Sequence, residues 1–238
     1  MSEPADRRAV RWSPTRVAAG LVLAAWACLF WFVLFSGRTS LYLSTRTAWL
    51  VPLGAILMTT AAVGRLASAR VERPDPLERR ESVMFGVIAL PVVLLLALPP
   101  ATLGSYAVNR RSNSTGIGAS ARIVSGPLDL VDVAAARSVK SAADDLRARA
   151  GEQVTMDGFV TVQPGETDQF QLTRFVITCC VADATISYVT VVDAPPGKFT
   201  NDEWVRVSGR IYPLGADILI DATSVEQIPP PEDPYLTP

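Results

Sequence analysis

Three long runs without a charged side chain, all within the first 110 residues, constrain this chain more than any other feature. Val17 to Phe35 is such a run of 19 residues, about 28 Å long as a helix and close to the ~30 Å hydrocarbon core of a bilayer. Ala48 to Gly64 is a second, with Trp49 at its start, where an indole sits well among headgroups, and Pro52 in its first turns, where a missing amide hydrogen costs little. Ser82 to Asn109 is the third, almost wholly aliphatic from Val83 to Leu98, with Pro91 predicting a kink and Pro99-Pro100 an end. Three membrane spans are therefore expected, at about 17–35, 48–66 and 83–103. A cleaved signal peptide is the alternative for the first run. That run exceeds the usual ~7–15 apolar residues, and Phe35-Ser36-Gly37-Arg38 is a poor cleavage site. The second run has a re-entrant hairpin as its alternative, because its length is marginal.

Arginine placement predicts the orientation, since short loops rich in Lys and Arg stay cytoplasmic. Arg7, Arg8, Arg11 and Arg16 precede the first span, and Arg65, Arg70, Arg73, Arg79 and Arg80 fill the second connection. The first connection, 36–47, has only Arg38 and Arg46. The expectation is a multi-pass plasma-membrane protein with a cytoplasmic N-terminus and an extracytoplasmic C-terminal domain. Arg110 and Arg111 dissent, but they head a long domain, which the rule weights lightly.

Composition supports a division at about residue 104. Residues 1–104 carry 11 basic against 6 acidic side chains and residues 105–238 carry 11 against 17, so the parts differ as +5 and −6. The chain is 49% hydrophobic with mean hydropathy +0.27, too apolar for a disordered protein. It has no histidine, which removes Ser-His-Asp and Cys-His catalysis and His-ligated zinc. An acidic C-terminal part argues against nucleic acid as a partner.

The expected organisation is a membrane part over 1–104, a flexible Ser/Asn/Gly-rich tether over 105–126, a soluble domain over 127–228 and an extended Pro-rich tail over 229–238. Val131, Ala135, Val139, Ala142 and Leu146 recur at helical spacing, with Asp129 and Asp132 at the helix start and Gly151 at its close. Five strands follow, at 153–162, 169–179, 185–192, 204–212 and 217–224, with Gly158 and Gly209 placed where a strand must bend. This pattern predicts an α+β to all-β domain, a small OB-like barrel with one helix, joined to a three-span helical membrane part. An open sheet covered by the helix is the alternative.

Cys28 lies inside the first apolar run and reads as a packing residue. Cys179 and Cys180 are adjacent, and Arg174 and Asp183 flank them. Four readings are open for the pair. Both sulfurs could pack. They could bind a soft or borderline metal ion together with Asp183, provided the strand ends or bulges there so that neighbouring side chains share a side. They could cycle through a strained disulfide. A nucleophile would need a basic neighbour, and only Arg174 is near in sequence. An ion pair between Arg174 and Asp183 would be the plain role for those two.

The string Arg174-Phe175-Val176-Ile177-Thr178-Cys179-Cys180-Val181-Ala182-Asp183-Ala184 resembles the signature of the YcgQ-type bacterial membrane family. Gly151-Glu152-Gln153-Val154, Gly158-Phe159-Val160, Trp204-Val205-Arg206-Val207-Ser208-Gly209 and Asp233-Pro234-Tyr235-Leu236 agree with it. The resemblance implies a non-enzymatic accessory role beside a separate integral membrane permease, with a link to metal homeostasis. It defines no transported species and leaves any metal site dependent on Cys179, Cys180 and Asp183. A membrane-anchored thiol redox protein and an envelope scaffold in which the pair only packs are the alternatives.

Overall fold

The structure is a computed structural model describing residues 11–71, 76–98, 102–110, 126–162, 169–194, 199–215 and 217–238. Two compact units divide the chain, and the division is not a single cut in sequence. The first holds the described residues of 11–39 and 48–98; the second holds 40–47 and the described residues from 102 onward.

In the first unit the apolar runs form three helices, α1 (Pro14–Phe35), α2 (Leu50–Ala67) and α3 (Arg79–Ala97), each long and apolar enough to cross a bilayer. Pro14 opens α1 in its first turn, where its fixed φ is preorganised for a helix. Glu78 and Glu81 form a capping box that starts α3. Because lipid offers no hydrophobic gain for helix association, close approach and interhelical polar bonds must hold the helices together. Gly20 of α1 supplies the first: a Cβ there would come within 2.6 Å of Leu66 in α2. Trp31 supplies the second, its indole N–H donating to the Thr59 hydroxyl at 3.1 Å, and Trp26 of α1 donates likewise to the Ile88 carbonyl of α3 at 3.1 Å. Leu21, Leu57, Val63, Val87 and Leu95 point outward, as side chains facing lipid do. Two short strands, β1 (Arg11–Trp12) and β2 (Arg70–Val71), pair antiparallel beside the helix ends. The chain is a multi-pass membrane protein. Helix α3 stops at Ala97, short of the expected 103, with Leu98 already extended ahead of Pro99.

The second unit is a closed barrel built from β3 (Gln153–Thr161), β4 (Phe170–Val176), β5 (Thr185–Val192), β6 (Trp204–Leu214) and β7 (Asp217–Gln227). Pairing runs β3-β6-β7-β5-β4 and returns to β3, with β5 and β7 parallel and the other pairs antiparallel. This is the OB-type barrel expected from the sequence. Alternation along β5, buried at every second residue from Thr185 to Val191, turns Val189 and Val191 into a core shared with Val160, Leu172, Val205, Val207 and Ile220.

Both expected bend glycines have a geometric reason. Next to Gly158, β3 gains β4 as a second partner while still paired with β6, and a Cβ would meet the Thr173 carbonyl oxygen at 2.8 Å. At Gly209, the β6–β7 register shifts by a bulge, and a Cβ would collide with the Asp221 carbonyl.

The expected single helix is two: α5 (Leu130–Ser138) and α6 (Lys140–Ala148), broken at Val139, whose φ of −130° and ψ of 124° are extended. Asp129 caps α5 by accepting from the amides of Val131 (2.7 Å) and Asp132 (3.2 Å). The break falls at Ser138-Val139, a pair of poor helix formers, and lets Val133 of α5 and Leu146 of α6 both join the barrel core. Ser105 to Arg110, expected as the start of the tether, form a short helix α4; Asp202 starts it, its carboxylate accepting from the Ser105 amide and, at 2.9 Å, from the Ser105 hydroxyl. The remainder of the expected tether, 111–125, lies outside the described residues. The tail is extended as expected and adds β8 (Tyr235–Leu236) parallel to β4 at Phe175–Val176, burying Tyr235 against Phe159, Phe175 and Trp204.

Candidate functional site: a thiol pair on a clamped loop

Strand β4 ends at Val176, three residues before the cysteines and earlier than the sequence suggests. Two local competitors end it. The Ile177 amide donates to the Leu236 carbonyl of the tail (2.9 Å), and the Asp183 carboxylate collects the amides of Thr178 (3.1 Å) and Cys179 (2.8 Å). A one-turn 3₁₀ segment, Val181–Asp183, brings Asp183 back over the loop. With the strand finished, Cys179 and Cys180 no longer point to opposite faces. Their sulfurs lie 3.5 Å apart as free thiols, Cys179 exposed and Cys180 half-buried. The condition set by the sequence, that the strand end before the pair, is met.

A second clamp comes from 40–47, the connection between α1 and α2. Leu43 forms an antiparallel bridge with Cys180. The Ser44 amide donates to the Cys179 carbonyl (3.1 Å), the Thr47 hydroxyl donates to the same carbonyl (2.5 Å), and the Ser44 hydroxyl donates to the Thr178 carbonyl (2.9 Å). The Val181 amide donates to the Tyr42 carbonyl (2.9 Å). Sequence reasoning missed this partner; no periodicity in so short a stretch announces it, and only its serine and threonine content hints at local bonding.

Electrostatics follow from the same contacts. Its hydrogen bond to Asp183, reinforced by Cys180, pushes the Cys179 thiol up to about 12. Burial works to raise Asp183, but bonds from the Cys179 thiol and from the amides of Cys179, Thr178 and Cys180 outweigh it and hold the carboxyl below its usual range. Asp183 thus orders the loop.

Arg174 does not reach Asp183 as an ion pair. Its guanidinium donates to the carbonyls of Pro234 (3.3 Å) and Asp233 (2.5 Å) and lies 5.5 Å over the Trp204 ring, so it anchors the tail. Among the described residues no group of three His, Cys, Asp or Glu side chains converges to hold a metal ion. What the loop offers is two sulfurs. Their 3.5 Å separation is close to the ~3.8 Å edge of a tetrahedral thiolate site with metal–sulfur bonds of ~2.3 Å. The donor set therefore fits two corners of such a site.

Fold and loop together define a class: a multi-pass membrane protein carrying an OB-type barrel with a vicinal dithiol on a clamped loop. Residues 135–238, comprising most of that barrel domain and its tail, match the family described as the DUF1980 C-terminal domain. No curated protein and no solved structure matches the chain.

Proposed function

We propose that the chain is a non-enzymatic accessory subunit of a membrane permease, and that its barrel, outside the cytoplasm, presents Cys179 and Cys180 as a two-sulfur holding site for a soft or borderline metal ion. The observation that carries this reading is the pair of free sulfurs 3.5 Å apart on a loop fixed from two sides. Metal binding would release protons from both thiols, and the ion's charge would relieve the repulsion that Asp183 now exerts on a Cys179 thiolate. Remaining coordination positions fall to water or to a donor from the permease, with Asp183 positioning the loop.

An accessory role accords with the helices. None of the three carries an ionisable side chain deep in its apolar stretch, which a self-contained transport path would be expected to have. The proposed side of the membrane follows from the arginine count. It accords with 40–47 belonging to the barrel's unit, as crossings by α1, α2 and α3 in turn require. The acidic balance of residues 105–238 keeps nucleic acid off the proposed partners. Thiol redox cycling is the second reading, favoured by the facing sulfurs and disfavoured by a Cys179 thiol held protonated.

Metal analysis of the full chain tests the proposal. Purified in detergent under reducing conditions, exposed to zinc and then dialysed, the wild type should retain stoichiometric zinc, and Cys179→Ser and Cys180→Ser should each lose it. Wild type without zinc, or a double serine variant retaining as much, would refute the holding site.

A further inference from the structure

The barrel is not sealed along its whole length. On one side of β3 the ladder to β6 is continuous from Gln153 to Phe159; on the other, β4 pairs only with Phe159, Val160 and Thr161. The Val160 amide donates to the Glu203 carbonyl (2.8 Å), and the Val160 carbonyl accepts from the Asp202 amide (3.0 Å). Even-numbered residues of β3 therefore turn their backbone groups toward β6, and odd-numbered ones turn theirs the opposite way. Thr155 and Asp157 direct amide and carbonyl to the side where β4 has already diverged. Neither has a ladder partner there among the described residues.

A cleft of about 480 Å³ opens at this place, within the usual range for ligand pockets. Thr155 and Asp157 of β3, Leu236 of β8 and the apolar Leu130 and Met156 are among the residues that line it. The tail shows how the gap accepts chain: β8 already lies along β4 where β3 has left it. Among the described residues, the edge of β3 that faces β8 is left without a ladder partner.

Charge narrows the occupant. Asp157 is matched by Arg206 in a two-pronged ion pair, both contacts 2.7 Å, and the Asp129 carboxylate is engaged by the amides of its own helix. Arg174, half-buried at the same cleft, forms no ion pair among the described residues. Its bonds go to two neutral carbonyls, which leave other donors of the fork free, and Asp157, Asp129 and Asp233 act on its charge only from beyond contact range.

We propose that this cleft is a peptide-binding site, in which an extended segment of a partner protein adds as a strand to β3 at Thr155–Asp157 and sets an acidic side chain on Arg174. Main-chain bonds to an open edge supply affinity, and the arginine and the apolar lining select the sequence. The site uses neither thiol, so its failure leaves the metal-holding proposal standing.

Fluorescence anisotropy on the full chain in detergent tests it. The probes are fluorescein-capped, C-amidated pentapeptide pools with Val or Thr at the outer positions and Asp, Asn or Lys at the centre, plus an Asp pool N-methylated at alternate amides. Wild type should bind the Asp pool saturably, at least about tenfold more tightly than the Asn pool, and should fail to bind the methylated pool. Arg174→Gln should abolish the preference for Asp over Asn. Thr155→Pro removes an outward amide and no β6 ladder bond, and should abolish binding with the barrel's circular dichroism retained. Equal binding of the Asp, Asn and Lys pools by wild type would overturn the proposal, as would undiminished binding of the methylated pool or no saturable binding of the Asp pool. Succinate binding that depends on Arg174, with no peptide bound, would assign the cleft to a small dicarboxylate and equally overturn it.

Discussion

At Asp183 one carboxylate does two things to its neighbours. It accepts the amides that terminate β4, and it keeps the Cys179 proton in place. Cys179 should therefore react slowly with iodoacetamide at pH 8 although it is exposed. In Asp183→Asn, losing the hydrogen bond and charge that hold the thiol at about 12 should lower its pKa, and because the thiolate fraction rises faster than intrinsic nucleophilicity falls, alkylation should speed up about tenfold. An unchanged rate would show that Asp183 does not control the thiol. The pH dependence has two sides. Asp183 is lowered in the folded loop, so its contribution is present above the ordinary carboxylate value and is lost as pH falls through the lower folded one. Cys179 is raised, so its contribution is present below the ordinary thiol value and is lost as pH climbs toward about 12. Protection of the Thr178 and Cys179 amides, taken as the exchange rate relative to the intrinsic rate at each pH, should fall at both extremes in wild type and show no loss on acidification in Asp183→Asn.

Among the elements, the strands were the most legible part of the sequence. Alternation placed β5 at its observed limits, and Gly158 and Gly209 marked the two places where a strand gains a second partner or shifts register. Gly209→Val should destabilise the barrel by about 2–4 kcal/mol, because the added carbon meets the backbone of β7, which cannot swing aside as a side chain can. Gly126, with open space around its Cα, should tolerate Ala with no comparable loss. Thermal unfolding of the two full-length variants decides between them. The paired helices α5 and α6 were less legible. Helical spacing runs unbroken through Val139, and the weak helix preference of Ser138-Val139 becomes a break only with docking on the barrel. The end of β4 was hidden for a related reason: Ile177, Thr178 and Cys179 extend a β-favourable run, and distant acceptors withdraw their amides from the ladder.

For the whole molecule the decisive point is that 40–47 leaves the helical unit and joins the barrel's. In sequence the segment lies between α1 and α2. Protease added to spheroplasts should shave off the barrel, while inside-out vesicles should protect it. The opposite pattern would reverse the proposed orientation and remove the thiols from the side of the membrane assigned to them.

By itself the sequence determined the three apolar helices, the barrel class, its strand order along the chain and the candidate residues Cys179, Cys180, Asp183 and Arg174. Those features are written in local hydrophobic periods, in turn residues and in uncommon neighbours, each readable within a few residues. Only the tertiary structure decided that Asp183 ties backbone amides, that Arg174 holds the tail and faces a cleft, and that 40–47 grips the thiol loop. Such pairings join residues as far apart in sequence as Tyr42 and Val181. They depend on where a closed sheet brings its edges and ends, and no local preference encodes that.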